Sequence, residues 1–177
     1  MILLEDSRQK VGRHNLKHYY WSAHGVAIKR QALYVGDYTL PTNQSICIDT
    51  KKDIQEIVGD ICGKQHERFR NECIRAQEAG IKLIVLIEDD TVDENGRYLI
   101  HDIRDLHKWQ NPRRKIRVKR DGQWVQKYPN ATSGVSLKKA MITMSVRYGV
   151  DFQFCRKKDA GKRILELLGV NNEEGNQ

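Results

Sequence analysis

The run from Ile81 to Ile87 is aliphatic almost throughout and is closed by Glu88-Asp89-Asp90. A strand of that composition hides both faces, so it needs cover on each side. Helical cover is at hand. Asn15 to His24 reads as one helix, and Asp53 with Glu56 forms a capping box that opens another through Ile61. His66 to Ala79 is a longer helix stopped by Gly80, and Ser136 to Tyr148 and Asp159 to Leu168 complete the set. Strands are expected at Ile2 to Glu5 and Asp151 to Cys155, with Val26 to Ile28, Ala32 to Tyr38 and Ser45 to Lys51 forming a meander. The pattern predicts an α/β fold with a central mixed sheet flanked by helices.

At 177 residues and 39% hydrophobic content, the chain is long enough for one sizeable core and short for two domains. A single domain over residues 1–170 is expected, with an insertion at about 91–133 and a frayed tail at 171–177. The first residues carry acids where a signal peptide would be apolar, and no apolar run reaches the length of a membrane span. This predicts a soluble intracellular protein, cytoplasmic or nucleoid-associated, with no membrane partner. Cys47, Cys62, Cys73 and Cys155 form no C-x-x-C pair and read mostly as buried free thiols.

The chemistry concentrates around Gly36-Asp37-Tyr38 and Asp49-Thr50-Lys51. On a strand from Ile46 to Lys51, Cys47, Asp49 and Lys51 share one face and Thr50 points the other way. Pro41-Thr42-Asn43 is turn-prone, so a hairpin can bring Asp37 opposite Asp49. Two converging carboxylates make a hard oxygen site suited to Mg²⁺ or Mn²⁺, and the lysine adds a cation beside it. Asp6 or Glu5, at the end of the first strand, can complete the acid cluster.

These residues, with Asp6-Ser7-Arg8-Gln9 before them and Leu83 to Glu88 after them, resemble the XPF-type structure-specific endonucleases of the restriction-endonuclease-like fold. The order and approximate spacing hold, and Val150 to Cys155 with its following helix resembles the family's last strand and helix. There are departures. Asp49 replaces a glutamate, Thr50 an arginine, Gln9 a glutamate, and Gln55 stands where an aspartate trails the lysine. The resemblance implies Asp37, Asp49, Lys51 and Asp6 as the catalytic group, with Mg²⁺ or Mn²⁺ on Asp37, Asp49 and the Thr50 carbonyl. It also implies Arg68 as a substrate contact, to which Arg8 is added by its place beside Asp6, and a homodimer, for which the apolar face Ile164-Leu165-Leu167-Leu168 is a candidate surface equally explicable as core. No tandem helix-hairpin-helix module follows, so DNA targeting is expected within the domain or from a partner.

From Arg97 to Lys127, ten basic residues against three acids leave +7 of the chain's net +8. Arg113, Arg114, Lys115, Arg117 and Lys119 are interleaved with Trp109, Trp124 and Tyr128, a mixture suited to phosphate contact and base stacking. Alternation from Lys115 to Lys119 and the Asp121-Gly122 turn signal predict a basic β-hairpin beside the cleft, with the core lying outside it. A solubilising loop is the plainer reading, which the aromatics oppose. Arg8 reads equally as a surface ion pair, and Glu88 as a strand-end acid or one standing behind the ligands. The leading expectation is a Mg²⁺-dependent endonuclease on branched or junction DNA in recombination or repair. The alternatives are a catalytically silent nuclease fold that binds DNA or dimerises, and an RNA-directed or nonspecific nuclease.

Overall fold

The computed structural model describes residues 1–10, 12 and 14–170. The tail at 171–177, expected to fray, lies outside the described residues. Strand β5 (Lys82–Glu88) is buried on both faces, as its composition requires, between two parallel neighbours, β4 (Asn43–Lys51) and β8 (Asp151–Cys155). The sheet continues from β4 to β3 (Tyr38–Leu40), β1 (Ile2–Asp6) and β2 (Ala27–Gln31), in the order β2-β1-β3-β4-β5-β8. Only β3 runs antiparallel to its neighbours, so the sheet is mixed.

Alternation along β5 sends Val85 and Ile87 to one core and Ile84 and Leu86 to the other. The first core lies under α2 (Ile54–Cys62), α3 (His66–Glu78) and α4 (Gly134–Tyr148), and includes Ile57, Phe69 and Met141. The second lies under α1 (Asn15–Ala23) and α5 (Ala160–Leu167), where Trp21 packs with Tyr38, Ile164 and Leu165. Half of the expected capping box forms at α2: the N-cap Asp53 accepts from the Glu56 N–H at 2.7 Å, whereas Glu56 reaches past the cap to accept from the Lys52 N–H at 2.8 Å. Cys47, Cys73 and Cys155 are buried thiols, and Cys62 is exposed.

Four expectations need correction. The segment 26–51 is no meander, because β1 inserts between β2 and β3. Residues 32–37 form no strand, since Gly36 at φ 70° turns the chain just before β3. The apolar face of α5 is core, with Ile164 and Leu165 fully buried, so it offers no pairing surface. The basic segment is part of the core too: Ile100 and Leu106 are fully buried, and Trp109 is 6% exposed. At Gly134 a Cβ would fall 1.8 Å from the Leu106 carbonyl oxygen, so α4 begins with its backbone against this segment.

Candidate active site

Parallel strands β1, β4 and β5 all end at one edge of the sheet, and antiparallel β3 begins there. That edge carries Asp6, Asp49, Lys51 and Glu88 at strand ends and Asp37 just before β3. Open parallel sheets place ligands at this edge because side chains from several strands converge there. The result is a cleft of about 650 Å³ whose lining includes Asp6, Asp37, Asp49, Thr50, Lys51 and Glu88.

Each residue of Gly36-Asp37-Tyr38 has its own reason. Any Cβ at Gly36 would come within 3.0 Å of the Ile48 carbonyl oxygen, and the Gly36 N–H donates to Glu72 at 3.0 Å. Tyr38 is fully buried, with its ring edge against Trp21 at 5.1 Å. Asp37 sits between them and is held from both sides. One carboxylate oxygen accepts from the Thr50 N–H at 2.8 Å and the Thr50 hydroxyl at 2.6 Å. The other accepts from the Gln9 amide, whose oxygen meets His14 Nε2 at 2.9 Å. Thr50, on the opposite face of β4, thereby reaches the site through its backbone as well as its hydroxyl.

Lys51 lies between two carboxylates, 2.8 Å from Asp49 Oδ2 and 2.9 Å from Asp60 Oδ2, and 5.3 Å from the Phe69 ring centroid. Burial would lower its pKa, but Asp49 and Asp60 outweigh burial and hold the ammonium above its ordinary range. Burial pushes the Asp49 carboxyl up to about 8, with Asp37 and Glu72 adding repulsion and Lys51 opposing it. Asp37 is raised for the same reason, against the lowering effect of the Thr50 hydrogen bonds. Two desolvated carboxylates, each raised by burial and by a neighbouring acid, are relieved by a dication, and this donor set of hard oxygens fits Mg²⁺ or Mn²⁺. Among the described residues, no cluster of three or more metal-binding side chains is already assembled. Mg²⁺ commonly takes one or two carboxylates and completes its shell with water and phosphate, so two suffice.

The remaining sequence candidates divide. Asp6 lines the cleft but pairs with Arg8 Nε at 2.7 Å, and Arg8 also donates to the Leu33 carbonyl at 2.8 Å. Glu5 points to the other face, where His18 at 2.6 Å and Arg30 at 3.0 Å take it, so it does not join the acids. Arg68 lines the cleft with its side chain 69% exposed, 3.7 Å from Asp60. None of the basic-segment residues lines this cleft. That segment does form a hairpin, β6 (Arg117–Arg120) with β7 (Gln123–Gln126), turned by Asp121 at φ 48° and Gly122 at φ 80°.

Trp124, opposite Lys119, is exposed on the hairpin, and Tyr128 lies 5.9 Å from the Arg113 guanidinium and 5.3 Å from Lys127 Nζ. Arg113, Arg114 and Lys115 occupy an exposed 3-10 turn capped by Asn111. Arg114 and Arg117 also brace the local backbone through the Ala131 and Trp124 carbonyls at 2.8 and 3.2 Å. Trp109 is the correction: buried in the core, its ring has no face to offer a base.

Sequence reasoning missed Lys17, Asp60, Glu72 and Arg75, all but Asp60 in the cleft lining. Only Asp60 left a signal, an acid three residues after Ile57 on the buried face of α2. The others depend on which helix covers which strand.

Comparison with solved structures finds XPF from Aeropyrum pernix at TM-score 0.60 and 15% identity, covering 98% of this chain and 66% of that one. XPF from Aeropyrum pernix in complex with DNA matches at TM-score 0.58 and 14% identity, covering 99% and 67%. The chain thus spans about two thirds of the length of each. At these identities the likeness shows a shared fold. No curated protein matches in sequence. The ERCC4 domain matches residues 6–168, nearly the whole chain and every residue that lines the cleft, and the chain belongs to that family of XPF-type nucleases.

Proposed function

We propose that this chain is a Mg²⁺- or Mn²⁺-dependent endonuclease acting on branched DNA in repair or recombination. The observation that carries the reading is the buried Asp37–Asp49 pair with Lys51 fixed between Asp49 and Asp60. Asp37, Asp49 and the Thr50 main-chain carbonyl would hold the cation, which when bound neutralises charge on the phosphate and makes a water more acidic. The chain's own residues do the rest. Gln9 and Thr50 fix the Asp37 carboxylate before substrate arrives, so little reorganisation is needed.

Lys51 is a donor and not a base. Two carboxylates close to its Nζ keep it protonated, so it can only donate, to a phosphate oxygen or the attacking water. The water oxygen bonds to phosphorus and gives a proton to solvent, while the ester bond breaks and the leaving oxygen takes the bonding pair and a proton from solvent. Arg8 and Arg68, exposed at the cleft rim, are placed to meet flanking phosphates. Arg113, Lys115, Lys119 and Trp124 supply contacts to DNA beyond the cleft. Branched substrates rest on the family alone. If two copies pair, the interface must lie elsewhere than the apolar face of α5, which is core.

The test is cleavage of labelled duplex, flap, fork and four-way junction DNA in Mg²⁺, Mn²⁺ or chelator. Metal-dependent cutting that favours the branched substrates is expected. Binding without cutting in either metal overturns the reading in favour of a silent DNA-binding module.

A further inference from the structure

Lys17 is a buried lysine, 4% exposed, on α1, and it ion-pairs with Glu88 at the end of β5. Both line the cleft. They reach it from the α1–α5 side of the sheet, whereas Asp49 and Lys51 reach it from the α2–α3 side. The apolar neighbours of this position, Leu86, Cys155 and Trp21, belong to the second core.

A pair that served only to pin α1 to the sheet would be cheaper as two apolar side chains, since burying an ammonium and a carboxylate carries a large desolvation penalty. The ammonium is also incompletely used. Among the described residues Glu88 is its single partner, which occupies one of three N–H donors. Asp6 pairs with Arg8, Asp49 with Lys51, and Asp60 with Lys51 and Arg68. Glu88 therefore holds Lys17 at the cleft with two donors to spare.

We infer that Lys17, braced by Glu88, is a second phosphate-contacting cation of this cleft, gripping a nucleic-acid backbone phosphate from the face of the sheet opposite Lys51. Glu88 is then a positioning residue. This rests on the nuclease reading for its substrate, so its test includes a binding measurement that needs no turnover.

The variants are Lys17→Met, Lys17→Arg and Lys17→Met/Glu88→Leu in the full chain. Binding of thymidine 3′,5′-bisphosphate is measured by calorimetry, alongside cleavage kinetics and Tm. Lys17→Met should weaken bisphosphate binding about tenfold and raise KM more than it lowers kcat, while Lys17→Arg stays within a few-fold of wild type. The single variant leaves Glu88 buried and unpaired, so its Tm should fall, and the apolar double variant should recover Tm but not bisphosphate affinity. Recovery of both, no loss of affinity in either methionine variant, or no bisphosphate binding by wild type would each overturn the proposal. Wild type that binds bisphosphate through Lys17 yet cuts no DNA would remove the nuclease reading and leave the phosphate site standing.

Discussion

The acid cleft and the basic hairpin are opposite ways of arranging charge. In the depth of the cleft the charged side chains are buried and held by partners: Asp37 by Gln9 and Thr50, Lys51 by Asp49 on its own strand and Asp60 on α2, Lys17 by Glu88. On the hairpin, the cations are mostly exposed and their few bonds are local, as between Arg117 and the Trp124 carbonyl. Desolvation raises the carboxyl pKa values in the cleft and leaves the hairpin cations in water, where salt screens them. Buried charge is held in one geometry, as a reaction would require. Exposed charge is suited to grip, and the difference is measurable.

The largest effect should come from the cleft. Asp49→Asn should lower cleavage by ~10²–10³-fold or more while DNA affinity stays within a few-fold of wild type. Undiminished cleavage would remove Asp49 from the site and collapse the contrast. The two tryptophans of the basic segment should then part company. Trp109→Ala should cost roughly 3–5 kcal/mol of stability in denaturant unfolding, because it opens a core cavity. Trp124→Ala should leave stability unchanged and weaken binding to single-stranded or open DNA by about 1–3 kcal/mol, with the salt dependence unaltered. Equal stability losses would mean that the segment packs as one unit.

The cleft should also register its cation. Burial pushes the folded Asp49 carboxyl up to about 8 from an ordinary 3.8. Protonated Asp49 thus favours the fold, and that stability is lost as pH rises from about 4 to about 8. In chelator, wild-type Tm should decline across this window more than that of Asp49→Asn. At pH 8, millimolar Mn²⁺ should restore Tm in wild type and hardly change Asp37→Asn/Asp49→Asn. Equal metal shifts would place the cation elsewhere.

The smallest effect per residue belongs to the exposed turn. Replacing Arg113, Arg114 and Lys115 with alanine should weaken binding to every DNA and flatten the slope of log affinity against log salt by about 2 to 3 units, roughly 0.9 per lost contact. Because Arg114 also braces Ala131, a slope change near 2 would assign it to structure. An unchanged slope would make the turn a solvated loop.

The hairpin was legible because everything that makes it is local. Alternation set its strands, and Asp121-Gly122 set a turn with φ positive at both residues. Much of the cleft was legible for the same reason: the Asp49-x-Lys51 spacing puts both side chains on one face of β4, and β3 pairs Tyr38 with Ile48, which sets Asp37 beside Asp49. Trp109 was misread because an aromatic among arginines carries no local sign of burial. Lys17 and Glu72 were missed because their meaning comes from contacts dozens of residues away.

The sequence by itself determined the buried strand, read as 81–87 and found at Lys82–Glu88, the helices around it, the residue types of the acid-lysine group, and the hairpin. These follow from side-chain periodicity and turn conformations, which act over a few residues. Only the tertiary structure decided that β1 lies between β2 and β3, which carries Asp6 to the edge where Asp49 and Glu88 end. It alone decided that α1 lends Lys17, that α2 lends Asp60, and that Trp109 serves the core. Burial and charge pairing join elements far apart in the chain, and their free energy exists only once the sheet has closed under its helices.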